Sequence, residues 1–394
     1  MALNSVEKKA LSGLALLYAS RMLGLFMVLP VLALYGQDLV GATPALLGVA
    51  LGIYGLTQAC LQIPFGAASD RFGRKPLIVT GLLIFLAGSI ISALSSHVIG
   101  LIWGRALQGA GAISSVVLAL LADYTRPEER SKSMAVVGAV IGASFVLAVV
   151  LGPWLAGFAG LSGLFWFTAV LAVFGLLVLF RLPEIPPVQV HQERKFSISS
   201  LADVLKDRNV MVLSLGIFLL HMTMTALFTA LPVELVQRGF EADDLGKVYA
   251  PVMILSFVFM MPLMMTAERK LAHVPLIRLA AILILLALLV LDFFDGVYVA
   301  AIALLIFFIG FNFIEASLPS LLSRKASQEV RGTAMGVFST GQFVGAASGG
   351  MIGGWLYSNH VIAYVLWMGL AAQLIWVFST LWLTPIANPG STNG

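Results

Sequence analysis

A single cysteine, Cys60, stands in 394 residues, so the chain can build neither an internal disulfide nor a cysteine metal site. Charge is scarce as well: Asp, Glu, Lys and Arg make up 11% of the residues, while hydrophobic types make up 60%. Soluble domains carry about 25% charged residues, and a mean hydropathy of +0.99 excludes a soluble domain of any size here. HExxH, GxSxG and P-loop motifs are missing, as are clustered His, Asp or Cys within the apolar runs. That leaves no nucleophile, metal centre or ATP site, so neither an enzyme nor a cofactor is expected.

What fills the chain is a series of apolar windows near the ~20 residues that cross hydrocarbon. We place twelve spans at 11–35, 45–68, 77–95, 98–121, 132–157, 163–182, 209–236, 246–266, 275–292, 297–322, 332–357 and 361–384. The expected fold is an all-α integral membrane protein, surrounded by lipid bilayer, with two six-helix bundles at 1–183 and 209–394. Between them, 184–208 is the one long polar segment. Pro183, Pro186 and Pro187 stop the sixth helix, and SSLADVLKDRN then reads as a short amphipathic helix on the membrane face.

Nineteen of the 23 Lys and Arg fall on one side of this arrangement, Arg238 and Lys247 on the other, and Arg21 and Arg105 inside spans. By the positive-inside rule both termini are cytoplasmic. The net charge of +4 is then a topology signal rather than a sign of a nucleic-acid partner. The first apolar run is long enough to span and lacks a small-residue cleavage site, so no cleaved signal is expected. About ten residues follow the last span, so no soluble C-terminal domain is expected either.

An internal repeat supports two halves. A shift of 201 lays Glu128, Arg130, Met134, Gly152 and Trp154 onto Glu329, Arg331, Met335, Gly353 and Trp355. A shift of 202 lays Leu29, Pro30 and Val31 onto Leu231, Pro232 and Val233. Two halves in the same orientation are what a parallel-repeat transporter has, with its solute site near the midplane between them.

Residues 66–75 read GAASDRFGRK, placing Asp70, Arg71, Arg74 and Lys75 between two apolar runs. Lipid cannot solvate these charges, so they occupy a short aqueous loop between the second and third spans. Asp70 and Arg74 stand one helical turn apart, and Asp123 closes the fourth span on the same side. An acidic Asp70 contributes nothing to topology, which favours a gate, although loop Arg and Lys alone would also enforce orientation.

The order Gly66, Ser69, Asp70, Arg71, Gly73, Arg74, Lys75 resembles the signature loop of the major facilitator superfamily. RALQGAG, with Arg105, Gln108, Gly109 and Gly111, is similar to the fourth-helix pattern of its drug:proton antiporter branch. VVLGPWLAG, with Gly152, Pro153 and Gly157 as a helix-packing motif, is similar to the fifth-helix pattern of exporters, except that Ala156 stands where a second Gly is usual. The resemblance implies a monomeric, multi-pass protein of a bacterial inner membrane that exports a small organic or amphipathic solute by proton-coupled alternating access. A symporter or uniporter importing a small metabolite is the alternative on the same fold. The resemblance also implies that Asp70 faces the N-terminal end of helix eleven while Arg74 reaches Asp123. Such contacts are expected only with the halves closed on the cytoplasmic side, latching the outward-open state. Arg130 and Arg331, superimposed by the repeat, join this gate.

Polar residues inside spans cost at least ~2.5 kcal/mol at the bilayer centre unless they face protein or water, and so mark the candidate transport path. They are Arg21, the stripe Tyr54, Gln58 and Gln62 at four-residue spacing, Arg105 with Gln108, His221, Asn312 with Glu315, and Gln342. The Gln stripe serves equally as interhelical glue. Glu315 is the one acidic residue well inside a span and leads as proton carrier, with His221 and Glu234 as further candidates. Its alternative role is a fixed partner for Arg21 or Arg105.

Overall fold

The structure is a computed structural model that describes residues 3–183, 198–242, 245–327 and 330–383; within them the side chains at 127, 128, 130, 131, 135 and 198–200 are outside the description. The described residues are mostly helical, and the only β pairing among them is an isolated bridge between Val40 and His97. The first half comprises α1 (Ser5–Phe26), α2 (Leu29–Tyr35), α3 (Pro44–Phe72), α4 (Arg74–Leu94), α5 (Val98–Ala110), α6 (Ser114–Tyr124) and α7 (Pro127–Phe180). After a short α8 (Ile198–Lys206), the second half comprises α9 (Arg208–Gln237), α10 (Leu245–Lys270), α11 (His273–Phe293), α12 (Val297–Lys325), α13 (Arg331–Leu356) and α14 (Ile362–Ser379).

Local chemistry explains the boundaries. Asn4 and Glu7 form a reciprocal capping box that starts α1. Thr43 caps α3, whose first residue Pro44 needs no hydrogen-bond acceptor. Gly73 ends α3 with φ 95°, a backbone region open to glycine, so the chain turns sharply into α4. The 54 residues of α7 are more than a bilayer crossing requires, and Gly160, with φ 67°, breaks the run inside it. Among the described residues ten helical segments are long and apolar enough to cross a membrane. Their outer faces carry Trp103, Trp154, Phe158, Phe180 and Tyr298 exposed, a surface that belongs in lipid.

In the first half α1 packs on α7, α3 on α5, and α4 on both α5 and α7; in the second, α9 packs on α13 and α14, and α11 on α12 and α14. The glycines superimposed by the repeat play the same part in each half. A Cβ at Gly152 would lie 2.6 Å from the Met27 carbonyl oxygen, and one at Gly353 would lie 2.7 Å from Ala226 Cα. Each therefore lets its helix press against the helix that opens its half. Pro153 is buried beside Gly152, but Gly157 is exposed, so the expected packing motif extends only over its first two members. Exposure follows from geometry: Gly157 stands five residues from Gly152, off the face that meets α1.

Among the described residues the main contacts that join the halves are α3 with α13, α7 with α10, and α2 with α9, with α3 also touching α9. Along α3, Gly48 meets Gly350 and Gly354, Gly52 meets Ala347 and Met351, and Gly55 meets Phe343 and Ala347. Toward the other end the helices part, since a Cβ at Gly332 or Gly336 would meet no atom within 4 Å. The halves are thus closed at the end where α3 begins and apart where it ends.

Candidate functional site

Three polar side chains of the second half converge from different helices. Gln342 on α13 donates from Nε2 to Glu315 Oε1 on α12 at 3.1 Å and lies 2.9 Å from His221 Nε2 on α9. His221 Nδ1 is 3.2 Å from the Ile217 carbonyl. A carbonyl oxygen only accepts, so the tautomer that fits has its hydrogen on Nδ1 and leaves Nε2 to accept from Gln342. Glu315 Oε2 lies 3.7 Å from the same Nε2 and has no hydrogen-bond partner among the described residues. The Glu315 side chain is 34% exposed, although its Oε2 is itself buried, and His221 is buried.

An aromatic wall stands beside the cluster. Phe311 lies 5.8 Å from the His221 ring and stacks on Phe145 of α7 at 5.8 Å, and Phe145 meets Phe26 of α1 edge-on at 5.0 Å. This row crosses from one half to the other. Sequence reasoning missed Phe145 and Phe311, because aromatic residues in membrane spans carry no local sign of whether they face lipid or protein. Asn312 points away from Glu315 and donates to Ser256 of α10 at 2.9 Å. Glu234 pairs with Arg238 at 3.1 Å and stands 13 residues beyond His221 on α9, about 20 Å along the helix. It is therefore a terminal ion pair remote from the cluster.

The polar residues of the first half form their own network. Arg21 Nη2 donates to Gln58 Oε1 at 2.8 Å and to the Tyr54 hydroxyl at 3.4 Å, with its guanidinium 5.7 Å from the Phe85 ring centroid. Gln58 in turn donates to Ser114 at 3.1 Å. Arg105 donates to Gln108 at 2.7 Å and to the Ala50 carbonyl at 3.2 Å and lies over the Tyr54 ring, while Gln108 donates to Ser89 at 2.8 Å. Gln62 accepts at its backbone carbonyl from Ser115 at 3.3 Å, and its side-chain Oε1 has no partner among the described residues. Neither arginine has a recorded contact with Glu315, and both are buried, so their charge is held inside the first half by amides, hydroxyls and rings.

In the loop, Arg74 pairs with Asp70 and lies 3.3 Å from Asp123, and it also donates to Ser69. The expected Arg74–Asp123 contact is present, but it does not require closure between halves: all of these groups belong to the first half. Asp70 is 65% exposed, and its recorded partner is Arg74 rather than α13. Lys75 donates to the Pro183 carbonyl at 3.1 Å, Arg71 lies over Phe72, and Gly66 adjoins Ser115. Arg331 is exposed at the start of α13, and the Arg130 side chain lies outside the described residues.

The second half carries a counterpart with reversed charge: Arg324 at the end of α12 donates to both oxygens of Glu268 at 2.9 Å. The shift of 201 that aligns the halves also lays Asp123 on Arg324, and that was the signal available for finding it. A separate cavity of about 250 Å³ lies at the closed end, with Gln37, Thr43, Thr229 and Tyr357 from both halves in its lining.

Long apolar helices packed as two groups, with polar side chains buried within each, are the build of a membrane transporter, and the sequence pattern of the Major Facilitator Superfamily matches residues 14–350. The chain belongs to that superfamily and is a transporter, not an enzyme. It is 43% identical over 373 residues to the "Inner membrane transport protein YajR" of Escherichia coli (strain K12), covering 94% of this chain and 82% of that one. It is 27% identical over 339 residues to the "Multidrug resistance protein MdtH" of Yersinia enterocolitica, covering 86% and 84%. Among solved structures, a bacterial homologue of the human lysosomal transporter Spinster superposes with TM-score 0.77 at 14% identity, covering 96% of each chain. A D-xylose-proton symporter superposes with TM-score 0.75 at 16% identity, covering 97% and 98%. At these identities the two share the fold.

Proposed function

We propose that this transporter exports a small organic solute in exchange for protons, with residues 1–183 and 209–394 rocking as two six-helix halves in a bacterial inner membrane. Twelve crossings follow from counting α7 as two helices about Gly160 and including α13, with both termini cytoplasmic by the charge asymmetry. The observation that carries the reading is the Glu315, His221 and Gln342 cluster, a partly exposed acidic side chain beside an imidazole. Such a pair can take up a proton when exposed to one side and release it when exposed to the other. Export is favoured by the Gly152–Pro153 element and by the name of the more distant relative, a multidrug resistance protein. Asp70, Arg74 and Asp123 would gate the cytoplasmic end, with Asp70 joining α13 when the halves close there.

Everted membrane vesicles energised by respiration test this. Addition of transported amphipathic compounds should release the stored pH gradient, and Glu315→Gln should abolish that release while substrate-induced thermal stabilisation of the purified protein persists. Uphill transport retained in Glu315→Gln removes Glu315 from coupling, and accumulation only in right-side-out vesicles refutes export.

A further inference from the structure

On the lipid-facing side of the second half, α9 and α14 leave a groove of about 590 Å³ between Leu215 on one wall and Ala371, Leu374, Ile375 and Phe378 on the other. Its lining is almost wholly apolar, and Trp382 lines the end nearest the α9 N-terminus. Leu215 stands seven residues beyond Arg208, about 10 Å along the helix axis, against roughly 15 Å for one hydrocarbon leaflet. The groove therefore lies within the depth of one leaflet.

Positive charge gathers at its mouth. Arg208 donates from Nε and Nη2 to the Trp382 carbonyl at 3.1 and 2.7 Å, so its guanidinium is fixed against a groove residue. Arg278 reaches the same terminal turn and donates to the Thr380 hydroxyl at 3.0 Å. Lys206 is exposed two residues before Arg208. Among the described residues none of the three has a recorded ion pair, and Nη1 of each arginine has no recorded hydrogen bond. Capping the end of α14 accounts for some of these donors, but it calls for neither three cations nor a groove. A fixed guanidinium with a free N–H edge above an apolar slot is suited to a phosphate whose acyl chain lies below it.

We propose that the α9–α14 groove binds one anionic phospholipid, its phosphate at Arg208 and its acyl chain along Leu215 and Leu374, in the cytoplasmic leaflet of the orientation given above. The site stands apart from the transport path: Arg208 and Trp382 belong to the outer surface of one half, so a bound lipid would brace α14 against α9 in every transport state.

Native mass spectrometry of the full chain, released from nanodiscs of phosphatidylglycerol or of phosphatidylcholine, tests it. The wild type should retain one phosphatidylglycerol, with phosphatidylcholine retained at least about tenfold less. Arg208→Gln should lower phosphatidylglycerol retention about fivefold, and adding Arg278→Gln should lower it further. Ala371→Phe fills the slot while leaving every charge in place, and should remove the lipid as well. Equal retention of both lipids, retention unchanged by the two arginine substitutions, or retention unchanged by Ala371→Phe would each overturn the proposal. Displacement of the lipid by inorganic phosphate alone would show a surface anion contact without a chain site and would overturn it too.

Discussion

Replacing Gly48 with alanine should move the protein away from the state in which its α3-start end is closed. In this structure a Cβ at Gly48 would lie 2.3 Å from the Gly350 carbonyl oxygen and 2.7 Å from Gly354 Cα. Carbon and oxygen in contact stand about 3.3 Å apart or more, so the overlap is roughly 1 Å and falls on backbone that cannot rotate away. Overpacking of this kind costs about 1–3 kcal/mol. The cost arises only where α3 and α13 meet, while the gain in helix propensity, about 1 kcal/mol, is common to both states and cancels. The population of the closed end should therefore fall about 5- to 150-fold relative to the open one. Spin labels at Asp38→Cys and Asn359→Cys, exposed sites next to the cavity residues Gln37 and His360, report this end in a Cys60→Ser background. Electron–electron double resonance should show a longer distance in Gly48→Ala. Gly332→Ala, where an added Cβ meets nothing within 4 Å, should leave the distribution unchanged. An unaltered distance in Gly48→Ala would mean that the glycine contact does not hold this end shut.

If Asp70 gates as proposed, joining α13 when the end holding it closes, Asp70→Asn should reduce transport and raise cysteine labelling at the ends of α7 and α13 on that side, since Asp70 is exposed here; unchanged labelling removes it from the gate. Glu7 is buried and accepts from Arg126 at 2.8 and 3.0 Å, so Glu7→Ala should destabilise the purified protein by about 2 kcal/mol, below the 3–5 typical of buried pairs because Arg126 is 43% exposed, and a thermal melt indistinguishable from wild type would count against the contact. Gln58→Leu takes from buried Arg21 its 2.8 Å acceptor, leaving Tyr54 as its recorded hydrogen-bond partner, and should cost about 2 kcal/mol by the same melt, whereas a neutral effect would show that the guanidinium finds another partner.

Membrane embedding, helical class, repeat and loop charges were all readable along the chain, because each depends on residues close together in sequence. Glu315 and His221 stood out for the same reason: a polar group within an apolar run is expensive wherever it lands. Their partners are another matter. Gln342 lies 27 residues from Glu315 and 121 from His221, and only the packing of α13 on α9 brings its amide between them. Arg21 stood as a candidate partner for Glu315, and the tertiary structure instead sets its guanidinium on Gln58 within the first half.

Hydropathy and the repeat by themselves determined that this chain crosses a membrane as two related halves, since lipid solvation acts residue by residue. Which end of the pathway is shut was left to the tertiary structure, because closure depends on which glycines of α3 and α13 come within van der Waals contact across the interface. The same holds for the fate of each buried charge: its sequence position states the cost of placing it in lipid, and only three-dimensional packing supplies the donors and acceptors that offset it.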